Sequence, residues 1–137
     1  MAIVGLSSDS SKPSNIVACY LKSRGYWIIP VNPREERILG EKSYPSLAAI
    51  PNPVDVVDIF RRPDEVIGIV EEAIKVGAKV VWMQEGVVNE AAAARAREAG
   101  IEVVMDKCMR KEHLRMLGEE PSPPEACELP RDDELRS

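Results

Sequence analysis

The sequence predicts an α/β fold of the doubly wound kind, a parallel five-stranded sheet with helices on both faces. Three observations lead there. Five short apolar runs of the kind a buried parallel strand shows recur along the chain: AIVGL (2–6), YWIIPV (26–31), VDVVDIF (54–60), KVVWM (79–83) and IEVVM (101–105). Stretches with helical spacing of apolar residues alternate with most of them. The connections are short, and a strand followed by a helix and a second parallel strand returns by a right-handed crossover, which places helices on both faces.

Each element has its own punctuation. The first strand ends at Gly5. From Pro13 the stripe Ile16, Val17, Tyr20 and Leu21 predicts a helix, with Ser14 as its cap and Gly25 as its stop. The second strand is closed by Asn32-Pro33 and the third by Arg61-Arg62-Pro63, with a loop and a short turn around Ser46 to Ala49 between them. Pro63 opens a helix whose buried stripe is Val66, Ile67, Ile69, Val70, Ala73 and Ile74, and Gly77 ends it. Asn89 caps an alanine-rich helix that runs to Gly100, and Lys107 to Leu117 has helical composition. Tyr26 and Trp82 are expected in the core of the sheet.

Composition narrows the classes. With 137 residues the chain has room for one buried core, here residues 1–117. From Gly118 the sequence turns acidic and proline-rich without periodicity, so 118–137 reads as a disordered tail outside the functional core. No apolar run approaches the roughly 20 residues of a membrane span, and the amino terminus does not read as a secretory signal, so the expected location is cytoplasmic. A net charge of −5 with no basic cluster argues against nucleic acid. The three cysteines, Cys19, Cys108 and Cys127, lack CxxC spacing, which disfavours a zinc site and reads as three reduced thiols.

In open parallel sheets, ligands bind beyond the carboxyl ends of the strands. That rule selects Gly5 to Ser8, Asn32 to Arg34, Arg61 to Pro63, Gln84 to Gly86 and Asp106 to Cys108. Together they supply backbone amides, small hydroxyls and three arginines, a set suited to phosphates, and no nucleophile paired with a base. The dinucleotide fingerprint Gly-x-Gly-x-x-Gly is not met: Ser7 and Ser10 stand at its second and third glycines, and Asn32 and Pro33 stand where an acid would hold a ribose. Arg34 in that position favours an adenosine carrying an additional phosphate. The serine loop, the amides that open the first helix and Lys12 suit a pyrophosphate. His113, the sole histidine, reads as a surface or cap residue and Cys108 as a small buried hydrophobe, although a thiol there could approach a ligand thiol. Tyr44, in the loop, is a weaker candidate for covering the ligand.

The segments PVNP (30–33), YPSL (44–47), FRRP (60–63), GAKVVWMQ (77–84) and MDKC (105–108) follow one another in an order and spacing that resembles the stand-alone CoA-binding domain proteins. These are similar to the Rossmann-like CoA-binding domain of the succinyl-CoA synthetase alpha subunit. The resemblance covers about Ala2 to Leu117. It implies CoA as the ligand, held by Gly5, Ser7 and Ser8 of the first loop, by Val31, Asn32, Pro33 and Arg34, by Phe60, Arg61, Arg62 and Pro63, and by Gln84, Glu85 and Gly86. Where the synthetases carry Thr-Glu-Gly, this chain has Gln-Glu-Gly. The phosphohistidine of the synthetases lies in another domain, so their ligase chemistry is not expected to carry over. No catalytic residue and no metal ligand is implied.

Two function classes follow. The favoured one is a non-catalytic module for CoA or acyl-CoA acting as carrier, sensor or partner subunit, with a protein partner or a second copy of itself. The alternative is an enzyme component, either a subunit of an ADP- or GDP-forming acyl-CoA ligase or a nucleotide-dependent redox protein.

Overall fold

The computed structural model describes residues 1–119; the expected disordered tail lies outside them except for its first two residues. In chain order the elements are β1 (Ala2–Val4), α1 (Pro13–Ser23), β2 (Ile29–Val31), β3 (Arg37–Ile38), β4 (Glu41–Lys42), β5 (Val56–Ile59), α2 (Val66–Lys75), β6 (Val80–Met83), α3 (Glu90–Glu98), β7 (Glu102–Val104) and α4 (Met109–Met116). Short 3₁₀ turns occupy Leu47–Ala49 and Pro63–Glu65. The five expected strands form one parallel sheet in the order β2-β1-β5-β6-β7, a Rossmann-like α/β arrangement. Pro30, which cannot donate to a ladder, sits in β2 at the sheet's edge, where that loss is tolerated.

Alternation along the strands divides the apolar residues between two layers. Val4, Val57, Ile59, Val81 and Met83 belong to a core with Val66, Val70 and Ala73 of α2 and with Ala92, Ala93 and Ala96 of α3. Those three alanines are fully buried, and their small side chains let α3 approach closely. Ile3 faces the other way, into a core with Val17, Ala18 and Leu21 of α1 and Met109 of α4, against which Val56, Phe60 and Trp82 pack. Each fully buried Val, Leu or Ile contributes about 1.5–3 kcal/mol relative to exposure, so these two stripes dominate the stability of the sandwich.

Local expectations fare unevenly. Asn89 caps α3, its side chain accepting from the Ala92 amide at 2.9 Å. Ser14 does not cap α1: Pro13 already occupies the first helical turn, and the Ser14 hydroxyl instead accepts the Ser7 N–H at 3.0 Å. Tyr26 is 42% exposed and Trp27 58%, because the strand begins only at Ile29, so Tyr26 is not sheet core. Tyr44 pairs with Val31 as a lone bridge beside β2. The loop between the second and third sheet strands contains the β3–β4 hairpin, turned by Leu39 (φ 52°) and Gly40 (φ 78°). Two-residue strands give no periodicity to read, so only Gly40 signalled it. Cys108 carries a free thiol, whereas Cys19 is disulfide-bonded, which corrects the reading of three reduced thiols.

Candidate functional site

The chain leaves β1 for β2 on one side and crosses back to β5 on the other, so the loops after β1 and β5 part over the carboxyl edge of the sheet. A cleft of about 740 Å³ opens there. Its lining includes Gly5, Ser7 and Lys12 from the first loop, Phe60, Arg61, Arg62 and Pro63 after β5, and Gln84, Glu85 and Gly86 after β6. Ten sequence-predicted residues therefore share one cavity. Val31, Asn32, Pro33, Arg34 and Ser8 do not line it. Asn32 and Pro33 instead border a second cavity of about 510 Å³ with Arg37, Lys42 and Ser43, and Val31 and Pro33 border a small one near Arg61.

Gly5 is where the backbone must bend. It holds φ +83°, donates its N–H to the Val31 carbonyl at 2.9 Å, and leaves so little room that a Cβ would stand 2.5 Å from the Phe60 carbonyl oxygen. Only glycine lets the loops after β1 and β5 come this close. The serine loop then folds on itself. Asn15 donates to the Ser7 carbonyl at 2.9 Å, the Ser7 hydroxyl accepts the Asp9 N–H, and Asp9 accepts both the amide and the hydroxyl of Ser11. Those Ser11 hydrogen bonds hold the Asp9 carboxyl below its ordinary range. Ser8 turns outward to Glu35, its hydroxyl donating at 2.9 Å.

Asn32 acts as a staple between the loops after β1 and β2. Its side-chain amide donates to the Leu6 carbonyl and its oxygen accepts the Arg34 N–H, both at 2.9 Å. An amide that both donates and accepts stands where a dinucleotide site would place a carboxylate. Arg34 itself is exposed.

The cleft is strongly cationic. Lys12, Arg61, Arg62, Arg110 and Lys111 line it against the single acid Glu85. Arg61 and Arg62 are held loosely by Glu65 at 3.6 Å, and Arg62 also by Asp64 at 3.8 Å. Exposed pairs of this kind are worth about 0–1 kcal/mol, less than the roughly 1.5–3 kcal/mol of a charge-assisted hydrogen bond to phosphate. Lys111 reaches Glu85 at 2.8 Å, spanning α4 and the loop after β6. That loop is shaped by Gly86 (φ +81°), whose N–H donates to the Asp106 carboxylate at 2.7 Å.

Cys108, whose thiol the sequence placed within reach of a ligand thiol, also lines the cleft, and among the polar lining residues Ser14, Arg110 and Lys111 were not selected from the sequence. They sit on the opening turns of α1 and α4, and helical spacing alone does not say which side of a helix faces a cleft. His113 lies elsewhere. Its Nδ1 is 2.6 Å from the Tyr20 hydroxyl and its ring meets the edge of Tyr26. Below the cleft a buried pair completes the floor: Gln84 donates through Nε2 to Asp58 Oδ1 at 2.5 Å, and burial pushes the Asp58 carboxyl up to about 7 against the hydrogen bonds from Gln84 and the Ile59 amide. Among the described residues no group of acids, histidines and cysteines is arranged to hold a metal, and no helix is long and apolar enough to cross a membrane.

Comparison with known proteins gives this geometry a family. The model of the CoA binding domain matches residues 1–114. An uncharacterized protein, YneT of Bacillus subtilis, is 41% identical over 113 residues, covering 82% of this chain and 84% of its own. A hypothetical protein from Pyrococcus horikoshii superposes with a TM-score of 0.83 at 47% identity, over 85% of this chain and 82% of its own. The ADP-forming acetate–CoA ligase II of Archaeoglobus fulgidus is 35% identical over 81 residues, 58% of this chain. This chain spans only 12% of that ligase. The dinucleotide-forming acetyl-coenzyme A synthetase 1 of Ca. Korarchaeum cryptofilum matches 77% of this chain and 26% of its own at 28% identity, with a TM-score of 0.69. With a Rossmann-like sheet, a phosphate-suited cleft at its carboxyl edge and a family model spanning nearly every described residue, the chain belongs to the CoA binding domain family.

Proposed function

We propose that the protein binds CoA or an acyl-CoA in this cleft as a non-catalytic module, a carrier, sensor or partner subunit, placed in the cytoplasm and working with a protein partner or a second copy of itself. The cationic lining carries the reading: four cations in the loops and on α4, together with the buried Arg110, converge on one cleft of an otherwise acidic protein. CoA brings a pyrophosphate and a 3′-phosphate, and this lining meets the first with the serine loop, Lys12, Arg61 and Arg62. Arg34 stands outside the cleft at the loop after β2 and takes the 3′-phosphate where the ligand extends beyond the cleft, while Gln84, Glu85 and Gly86 face the pantetheine arm. The lining runs from the first loop to Cys108 at the start of α4, which suits an extended ligand.

A second reading, a component of an acyl-CoA ligase, is favoured by the similarity to the Archaeoglobus fulgidus ligase. Titration calorimetry separates the main reading from its rivals. CoA is expected to bind more tightly than NAD, and equal or tighter NAD binding overturns it. Arg34→Ala is expected to lose roughly ten- to a hundred-fold in affinity for CoA and little for dephospho-CoA, the scale of one charge-assisted contact. Proportional loss for both ligands removes Arg34 from the 3′-phosphate, and the same comparison on Arg61 and Arg62 finds its replacement.

A further inference from the structure

Asp58 lies in the central strand, paired with Ile3 of β1 and Trp82 of β6, and is fully buried. Its neighbours Val57 and Ile59 face the α2–α3 core, so Asp58 faces the layer of α1 and α4. Only one of its carboxyl oxygens is used. Oδ1 accepts from Gln84 Nε2 at 2.5 Å, and Oδ2 has no hydrogen-bond partner. Gln84, 3% exposed, turns its other end to α4, where Oε1 accepts the Met109 N–H at 3.3 Å. The amide orientation follows from its partners: a backbone N–H requires the oxygen, which leaves the NH₂ for the carboxyl. Gln84 also borders the cleft. One side chain thus joins the central strand, the end of β6 and the start of α4 across the cleft floor.

We propose that Asp58 is a positioning residue of the cleft, its buried carboxyl holding Gln84 against the amino end of α4 and its proton tying the cleft's grip on a polyanion to pH. The proposal rests on the reading of the cleft as a CoA site. Burial leaves the Asp58 carboxyl titrating at about 7. Ionised, the carboxyl would be a charge in a fully buried position beneath the cleft. β1 and β6 carry no ionisable side chain, and of the buried residues of α1, Ser14 and Asn15 do not ionise and Cys19 is held in a disulfide. α4 brings Cys108 and Arg110, of which Arg110 has an interaction of its own, and no charged neighbour contributes to the shift at Asp58. A polyanion entering the cleft disfavours the ionised carboxyl further, so binding draws a proton onto Asp58. By linkage, affinity then falls as pH rises through neutrality.

Two measurements test this. In the ligand-free protein, the side-chain NH₂ of Gln84 and the amide of Met109 are followed by NMR from pH 5 to 9. Both are expected to shift with one midpoint near neutrality, and Asp58→Asn is expected to abolish that shift. CoA affinity is then measured by calorimetry at pH 6 and pH 8.5 in both proteins. The wild type is expected to lose about three- to tenfold more affinity over this range than Asp58→Asn, the bound being tenfold per pH unit for one proton. Titration of CoA itself cancels in the comparison. Unmoving Gln84 and Met109 signals, or the same pH dependence in both proteins, overturns the proposal. If the signals titrate but neither protein takes CoA at either pH, the CoA reading fails and the coupling falls with it. Should Asp58→Asn not fold, flat wild-type signals overturn the proposal and titrating ones support it.

Discussion

Replacing Gly5 with alanine isolates the close approach on which the cleft depends. The new Cβ would lie 2.5 Å from the Phe60 carbonyl oxygen, 3.1 Å from its carbon and 2.9 Å from Arg61 Cδ. The arginine methylene can move, but the Phe60 backbone cannot, because its own N–H is bonded to the Val4 carbonyl at 2.9 Å. Two costs add. Holding a non-glycine residue at φ +83° costs about 1–2 kcal/mol, and forcing a methyl into the packed loop costs about 1–3 kcal/mol more. Gly86→Ala is the control, since its φ of +81° carries the first cost while nothing lies within 4 Å to impose the second. Urea unfolding is expected to show Gly5→Ala destabilised by about 2–5 kcal/mol and Gly86→Ala by about 1–2 kcal/mol. Should the two variants unfold at the same urea midpoint with equal slopes, the approach of the loops after β1 and β5 does not constrain Gly5, and the geometry assigned to the cleft mouth is wrong.

Asp58 leads to a stability prediction independent of any ligand. Its carboxyl is raised in the folded state from 3.8 to about 7, so unfolding releases a proton between these values. Its contribution is fully present below about pH 4 and is lost as pH rises to about 7, a change of about 4 kcal/mol in total. In urea melts across that range, Asp58→Asn is expected to flatten this component relative to wild type, and an unchanged difference between the two profiles refutes it. Asn89→Ala removes the cap accepting from Ala92 and is expected to lower stability by about 0.5–2 kcal/mol in the same assay; no loss would deny the cap its role. Cys108, a free thiol on the cleft wall, is expected to react with iodoacetamide more slowly when CoA is present, read by mass spectrometry; equal rates place the ligand away from this wall.

Much of this molecule is local, and local features are what a sequence carries. Each apolar run holds a strand because side chains that shun water recur in it at strand spacing, and Asn89 caps α3 because its side chain needs only the amide three residues on. Gly5 and Gly86 mark turns for the same reason: a positive φ is a property of one residue and its neighbours. Phe60 to Pro63 and Gln84 to Gly86 meet in one cleft because every strand of a parallel sheet ends at the same edge, whereas Val31 to Arg34 do not line it. Tertiary structure decided what joins across those loops. That β1 sits between β2 and β5, and so opens the cleft beside Gly5, follows from strand order, which no local pattern encodes. Asp58 and Gln84 are 26 residues apart, and an acid inside an apolar run reveals its partner only once β5 and β6 are paired. Lys111 and Arg110 enter the cleft, while Asn32 is spent on holding Leu6 and Arg34, because α4 and the loop after β2 are aimed by packing against distant elements rather than by their own residues.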